Sequence, residues 1–243
     1  MPMFAKKKNA KKKDAKTAFK FTLSPRTITG AGFSCKKLVL CNNKNMDKAL
    51  ELEKLKQEML ADKKLQLKTN LVFGEGNPDC QVLFIGEAPG AVEDELVRPF
   101  VGRSGQLLRK NIRSLVWKEE DVYITNIVKR RPPENRDPLP EEITAYKPYL
   151  TRQIEIIKPK IIVPLGRFSM NYFLPKAKIT RDQGHLFQSG KWFVAPMFHP
   201  AAALRDPKMM QEFEKGFKNL PKMLKKINGI KSSDSRPSQL TMM

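Results

Sequence analysis

Four short apolar runs frame this chain: Val82 to Ile85, Val122 to Ile127, Ile161 to Leu165 and Trp192 to Met197. They are near-continuous rather than alternating, the pattern of strands covered on both faces. Between and after them, apolar residues recur at helical spacing over Ser104 to Val116, Glu141 to Ile157, Arg167 to Leu174 and Lys208 to Lys226. Strands that alternate with helices predict an α/β fold, a three-layer α/β/α sandwich around a central, mainly parallel four-stranded sheet.

Ahead of this frame, Leu50, Leu52, Leu55, Met59 and Leu60 predict one amphipathic helix over residues 46–68. Residues 1–45 read as a basic, disordered arm: the first 20 hold eight lysines against Asp14 and little that could be buried. Such an arm suits a nonspecific phosphate tether, and equally a solubilising tail or a nuclear address. The folded domain is expected over residues 69–226. Residues 227–243, with the stretch SSDSRPSQ, read as a frayed tail.

Charge narrows the class of partner. A formal net charge of +21 and a pI near 9.9 attract polyanions, nucleic acid first, although RNA, ribosomal surfaces and acidic membranes answer the same charge. The cysteines Cys35, Cys41 and Cys80 are too few for a disulfide framework, and no apolar run reaches the ~18 residues of a membrane span. These features predict an intracellular, monomeric protein with no membrane attachment. The lysine-rich N-terminus leaves cytoplasm, nucleoid, nucleus and organelle open.

Ligands of an open parallel sheet gather outside the carboxyl ends of its strands. Here the first run leads into Gly86-Glu87-Ala88-Pro89-Gly90, the second ends at Asn126, the third at Gly166 and the last at His199-Pro200. Neither G-x-G-x-x-G nor G-x-x-x-x-G-K-[ST] occurs, so these ends are no nucleotide-phosphate site. His185 and His199 are the only histidines and lack a flanking cysteine pair, which argues against zinc. The acids Glu87, Glu93, Asp94 and Glu95 follow a single strand, whereas a magnesium nuclease draws carboxylates from several. A metal-free pocket that reads a planar heterocycle remains.

Five blocks sharpen this reading: LVFGEGNPDCQVLFIGEAPG, RPFVGRSGQLL, VYITNIVKRRPP, IVPLG and FHPAAALR. In order and spacing they closely resemble the family 4 uracil-DNA glycosylases, over about Thr69 to Leu224. The resemblance implies that the chain flips uracil out of DNA, single- or double-stranded, and hydrolyses its N-glycosidic bond. It also leaves open a repurposed DNA-binding or replication-accessory module of the same fold. By resemblance, His199 donates to uracil O2, Asn126 reads the N3 and O4 edge, Phe100 stacks on the base and Ala88 lines the pocket. Water activation falls to Glu87, to Glu93 or to backbone groups. Gly102, Ser104, Gly105, Gln106, Gly166, Arg167 and Arg205 are the expected DNA contacts. Pro200, Ala203 and Leu204 match the loop that enters the minor groove, with Leu204 or Ala203 near the vacated base position.

One part of the resemblance fails. Family 4 enzymes typically hold a [4Fe-4S] cluster on four cysteines, but Arg130 and Tyr146 stand at two ligand positions and no cysteine pair precedes Leu71. Thiolates are the ligands such a cluster needs, so the expectation is no cluster and no other cofactor.

Overall fold

A computed structural model describes residues 35–115 and 117–230. The lysine-rich arm before residue 35 and the tail after residue 230 lie outside the described residues.

The sheet has six strands in the order β1-β3-β2-β4-β6-β5, where β1 is Glu75–Gly76, β2 Val82–Gly86, β3 Tyr123–Asn126, β4 Ile161–Pro164, β5 Phe187–Ser189 and β6 Trp192–Val194. The expected four-stranded parallel core is its centre, β3-β2-β4-β6. Two short antiparallel strands, β1 against β3 and β5 against β6, extend it at both edges.

The continuous apolar runs split by parity, as a pleated strand demands. Leu83, Ile85 and Ile162 enter one core, with Leu52, Leu55 and Met59 of α1 (Cys35–Ala61) and Tyr146, Leu150 and Ile154 of α4 (Pro140–Ile157). Val82, Phe84 and Val163 enter the other, with Leu108 and Ile112 of α3 (Arg103–Ser114) and Phe213 and Phe217 of α8 (Pro207–Ile230). Phe84 stacks on Phe217 with ring centroids 5.7 Å apart. Helices α1 and α4 thus cover one face, α3 and α8 the other.

The sequence-based boundaries need adjustment. Helix α1 starts at Cys35, inside the segment assigned to the arm, and stops at Ala61 because the Asp62 carboxylate accepts the Lys64 N–H at 2.8 Å and turns the chain. Leu65 and Leu67 are therefore buried from an extended segment, not from the expected helix. Helix α8 runs to Ile230, past the point assigned to the tail. Three short helices, α2 (Ala91–Leu96), α6 (Ile179–Asp182) and α7 (Pro200–Ala203), had no periodicity long enough to announce them, whereas α5 (Arg167–Phe173) did.

The topology fixes where a ligand sits. Strand β2 lies between β3 and β4, so the chain leaves it to one side and returns past it to the other, opening a crevice at the carboxyl ends of these strands.

Candidate active site

That crevice is a cleft of about 280 Å3 lined by Glu87, Ala88, Pro89, Gly90, Glu93, Phe100, Ser104, Asn126, Pro132, Asn135, Arg136, His199 and Ala201. It joins all six residues expected to touch base or sugar.

Gly86, at the end of β2, lets two of them meet. A Cβ there would stand 2.4 Å from Asn126 Oδ1 and 2.4 Å from Phe100 Cζ, so both side chains lie against the bare Cα. Asn126 closes β3 and is 1% exposed, and its Oδ1 has no hydrogen-bond partner. Buried polar atoms are nearly always paired. Arg130 Nε, Tyr146 Oη and Gln183 Oε1 share this state, but of the four residues Asn126 is the one that lines the cleft, where a ligand's donor can meet it.

Phe100 is held from several sides in a backbone conformation that side chains other than glycine seldom adopt, φ +53°. Arg109 donates to Phe100 O at 2.9 Å and to Pro99 O at 2.8 Å. Glu93 Oε1 accepts the N–H groups of Val101 at 3.0 Å and Gly102 at 2.8 Å. Gly105 in α3 presses on the Phe100 carbonyl, where a Cβ would come within 2.1 Å of the oxygen. Gly105 thus serves packing, and Glu93 sets the loop that carries the aromatic ring.

His199 caps α7, and its Nδ1 accepts the Ala201 N–H at 3.2 Å. Burial, reinforced by the charge of Arg205 and opposed by Glu93, lowers its pKa to about 4. The ring is therefore neutral at pH 7, and because Nδ1 accepts, the proton resides on Nε2. It lies 6.1 Å from the Phe100 ring, tilted by 37°. Gly166, at φ +87°, allows the approach: its Cβ would fall 3.0 Å from His199 Cβ.

The Glu87 carboxyl titrates above the usual carboxylate range. Burial pushes it up to about 7, aided by the nearby charge of Asp137 and resisted by Arg167, which itself pairs with Asp137 at 3.0 Å.

Of the other expected DNA residues, Ser104, in the first turn of α3, is among those that line the cleft. Gly102 caps α3, while Gln106 is exposed one turn from that end. Gly166 caps α5, Arg167 opens it, and Arg205 is exposed just after α7. Of the two candidates for the vacated base position, Leu204 is 42% exposed, whereas Ala203 is 2% exposed and packed in the core, as is Pro200. Only Leu204 can reach into a groove.

The sequence reading missed the wall formed by Pro132, Asn135 and Arg136. The Pro132-Pro133 pair followed by Asn135 was the available signal, since Asn135 and Glu134 turn the chain at φ 55° and 53°. Arg136 is fixed there by two hydrogen bonds to Glu142, at 2.9 and 2.6 Å.

The profile of the uracil DNA glycosylase superfamily matches residues 73–226. This chain belongs to that superfamily. Among its uracil-DNA glycosylase relatives, the Type-4 uracil-DNA glycosylase of Sulfurisphaera tokodaii is 47% identical over 182 residues, 70% of this chain and 83% of the relative. Those of Archaeoglobus fulgidus and Thermotoga maritima are 41% identical over 181 residues and 47% over 142, covering 70% and 57% of this chain and 91% and 74% of the relatives.

Within this glycosylase fold, the two positions named for cluster ligands are filled otherwise. Tyr146 is 1% exposed, in the same core as Leu65, Leu71 and Leu150. Arg130 lies beside it and donates to the Thr69 carbonyl. Among the described residues no group of three or more His, Cys, Asp or Glu side chains could hold a metal ion, and Cys80 is a buried thiol whose pKa burial raises to about 12. No helix among them is long and apolar enough to cross a membrane.

Proposed function

We propose that this chain is a uracil-DNA glycosylase that takes uracil out of DNA, single- or double-stranded, and hydrolyses the C1′–N1 bond to leave an abasic site. The observation that carries this reading is the unpartnered, buried Asn126 Oδ1, on a residue that lines one cleft with an aromatic ring and a neutral imidazole.

Uracil matches that set. Its N3–H supplies the proton Asn126 Oδ1 lacks, its O4 accepts from the Asn126 amide, and its O2 accepts from His199 Nε2–H. Cytosine offers an acceptor at N3 and a donor at C4, opposing both groups of Asn126, and a polar site rejects such a partner strongly. Phe100 supplies the stacking face that a flipped base loses on leaving the duplex.

As C1′–N1 breaks, its electron pair leaves with N1 and negative charge spreads to O2 and O4, while the sugar becomes oxocarbenium-like. His199 Nε2–H is aimed where that charge grows, a donor worth about 3 kcal/mol. Water adds its oxygen to C1′ and loses a proton. Glu87 takes that proton in this reading, because Glu93 Oε1 is already engaged by two backbone N–H groups. Leu204 fills the place the base vacates.

The same reading has no [4Fe-4S] cluster. Tyr146 and Arg130 fill the two positions named for cluster ligands with a phenol and a guanidinium rather than the thiolates such a cluster needs. Iron and acid-labile sulfide assays on freshly purified protein are expected to find neither; about four irons per chain would overturn this part.

The decisive experiment is cleavage of a labelled uracil-containing oligonucleotide in EDTA, followed by alkali. Strand scission by the wild type, lost in both His199→Ala and Asn126→Ala, is expected. Tight DNA binding without an abasic product would refute the assignment.

A further inference from the structure

The two helical layers differ in charge. In α3 there are four basic residues (Arg103, Arg109, Lys110, Arg113) and no acid, and α8 has six lysines against Glu212 and Glu214. On the other face, α1 has six lysines against four acids, and α4 has Lys147 and Arg152 against three glutamates.

Spacing concentrates the charge further. Lys208, Lys215, Lys218, Lys222 and Lys225 are all exposed and recur every three, four or seven positions, one stripe along the outer side of α8. Arg103 and Lys110, seven residues apart, are exposed on α3, which packs against α7 and α8. Two acids share the helix, Glu212, 3.6 Å from Lys215, and Glu214, one turn before Lys218.

The stripe has a direction. Helix α8 starts three residues after Leu204, at the cleft, and its other end is tied to the start of β4 by Lys160 and Asn228 at 2.7 Å. From Lys208 to Lys225 it covers roughly 26 Å at the ordinary helical rise, the length of several successive phosphates on one DNA strand.

We infer that the outer face of α3 and α8 is a second DNA surface, on which the duplex flanking the uracil lays its phosphates after bending over the cleft rim. This rests on the proposed action on DNA. Such a bend costs a few kcal/mol, offset by the contacts it permits. Counterion release supplies much of that gain, so the surface leaves a signature in salt dependence.

The test is the variant Lys215→Gln/Lys218→Gln/Lys222→Gln/Lys225→Gln in the full chain. Binding is measured by fluorescence anisotropy against salt, on a uracil duplex ending a few base pairs from the lesion and on one extended by two helical turns. The wild type is expected to bind the longer duplex more tightly, with the steeper slope of log K against log salt. In the variant that slope falls by up to about 3.6 on the long duplex, with no change on the short one and an unchanged kcat. Equal slopes for variant and wild type on the long duplex would overturn the inference, and so would equal losses on both lengths. Because binding is read without excision, failure of the surface is distinguishable from failure of the glycosylase assignment.

Discussion

Replacing Asn126 by alanine separates a functional polar group from a structural one. In most buried positions, truncating a carboxamide removes a satisfied hydrogen bond and destabilises the fold. Here Oδ1 is buried without a partner, and the deleted volume opens onto the cleft, so water can enter and no closed cavity forms. Relief of an unsatisfied acceptor is worth about 1 kcal/mol, which for a domain of this size raises Tm by roughly 2–4 °C. Catalysis moves the other way. Two hydrogen bonds to uracil are lost, one of them to an oxygen that gains charge, together about 3 kcal/mol or roughly a hundredfold in kcat/KM. Excision of uracil from a labelled oligonucleotide under single-turnover conditions and differential scanning calorimetry of the same preparation give both numbers. A Tm several degrees below wild type, or excision within threefold of it, would refute the reasoning, since either result would make the carboxamide a packing residue.

Gly86→Ala is expected to abolish excision, because the added Cβ meets Asn126 and Phe100 at 2.4 Å; circular dichroism would check that the sheet survives and steady-state kinetics that activity does not. The pH profile of kcat/KM should rise through about pH 7, because Glu87, with its pKa raised to about 7, accepts a proton only when ionised. It should show no separate step near pH 6.5, since His199, lowered to about 4, stays neutral across that range; in Glu87→Gln the rise should vanish. Leu204→Ala should weaken excision from duplex more than from single strands, because only the duplex leaves a gap to fill; kinetics on paired substrates would show it.

The central sheet and much of the cleft were legible because several of the cleft's residues lie at or just after the ends of apolar strands. Gly86, Asn126, Gly166 and His199 could therefore be assigned to one crevice before any distance was known. Strands β1 and β5, with Glu75–Gly76 and Phe187–Ser189, are too short and too polar to show a pattern; they exist because β3 and β6 leave open edges beside them. The Pro132–Arg136 wall was hidden for another reason. Its place depends on Arg136 meeting Glu142 from the following helix, a pairing no local periodicity encodes. Glu93 was located in the pocket but not resolved in role, since its partners Val101 and Gly102 are backbone groups, and Ala203 gave no sign that it would be buried.

The clamped backbone at Phe100 has a kinetic consequence. With its carbonyl gripped by Arg109, the next two amides by Glu93 and its turn pressed against Gly105, the stacking platform stands finished before any DNA arrives. The enzyme then waits while the nucleic acid moves. Turnover should be ordered by how readily each substrate surrenders its base, single strands first, U·G pairs next and U·A pairs last. The clock of this repair reaction would then be kept by the breathing of the damaged duplex.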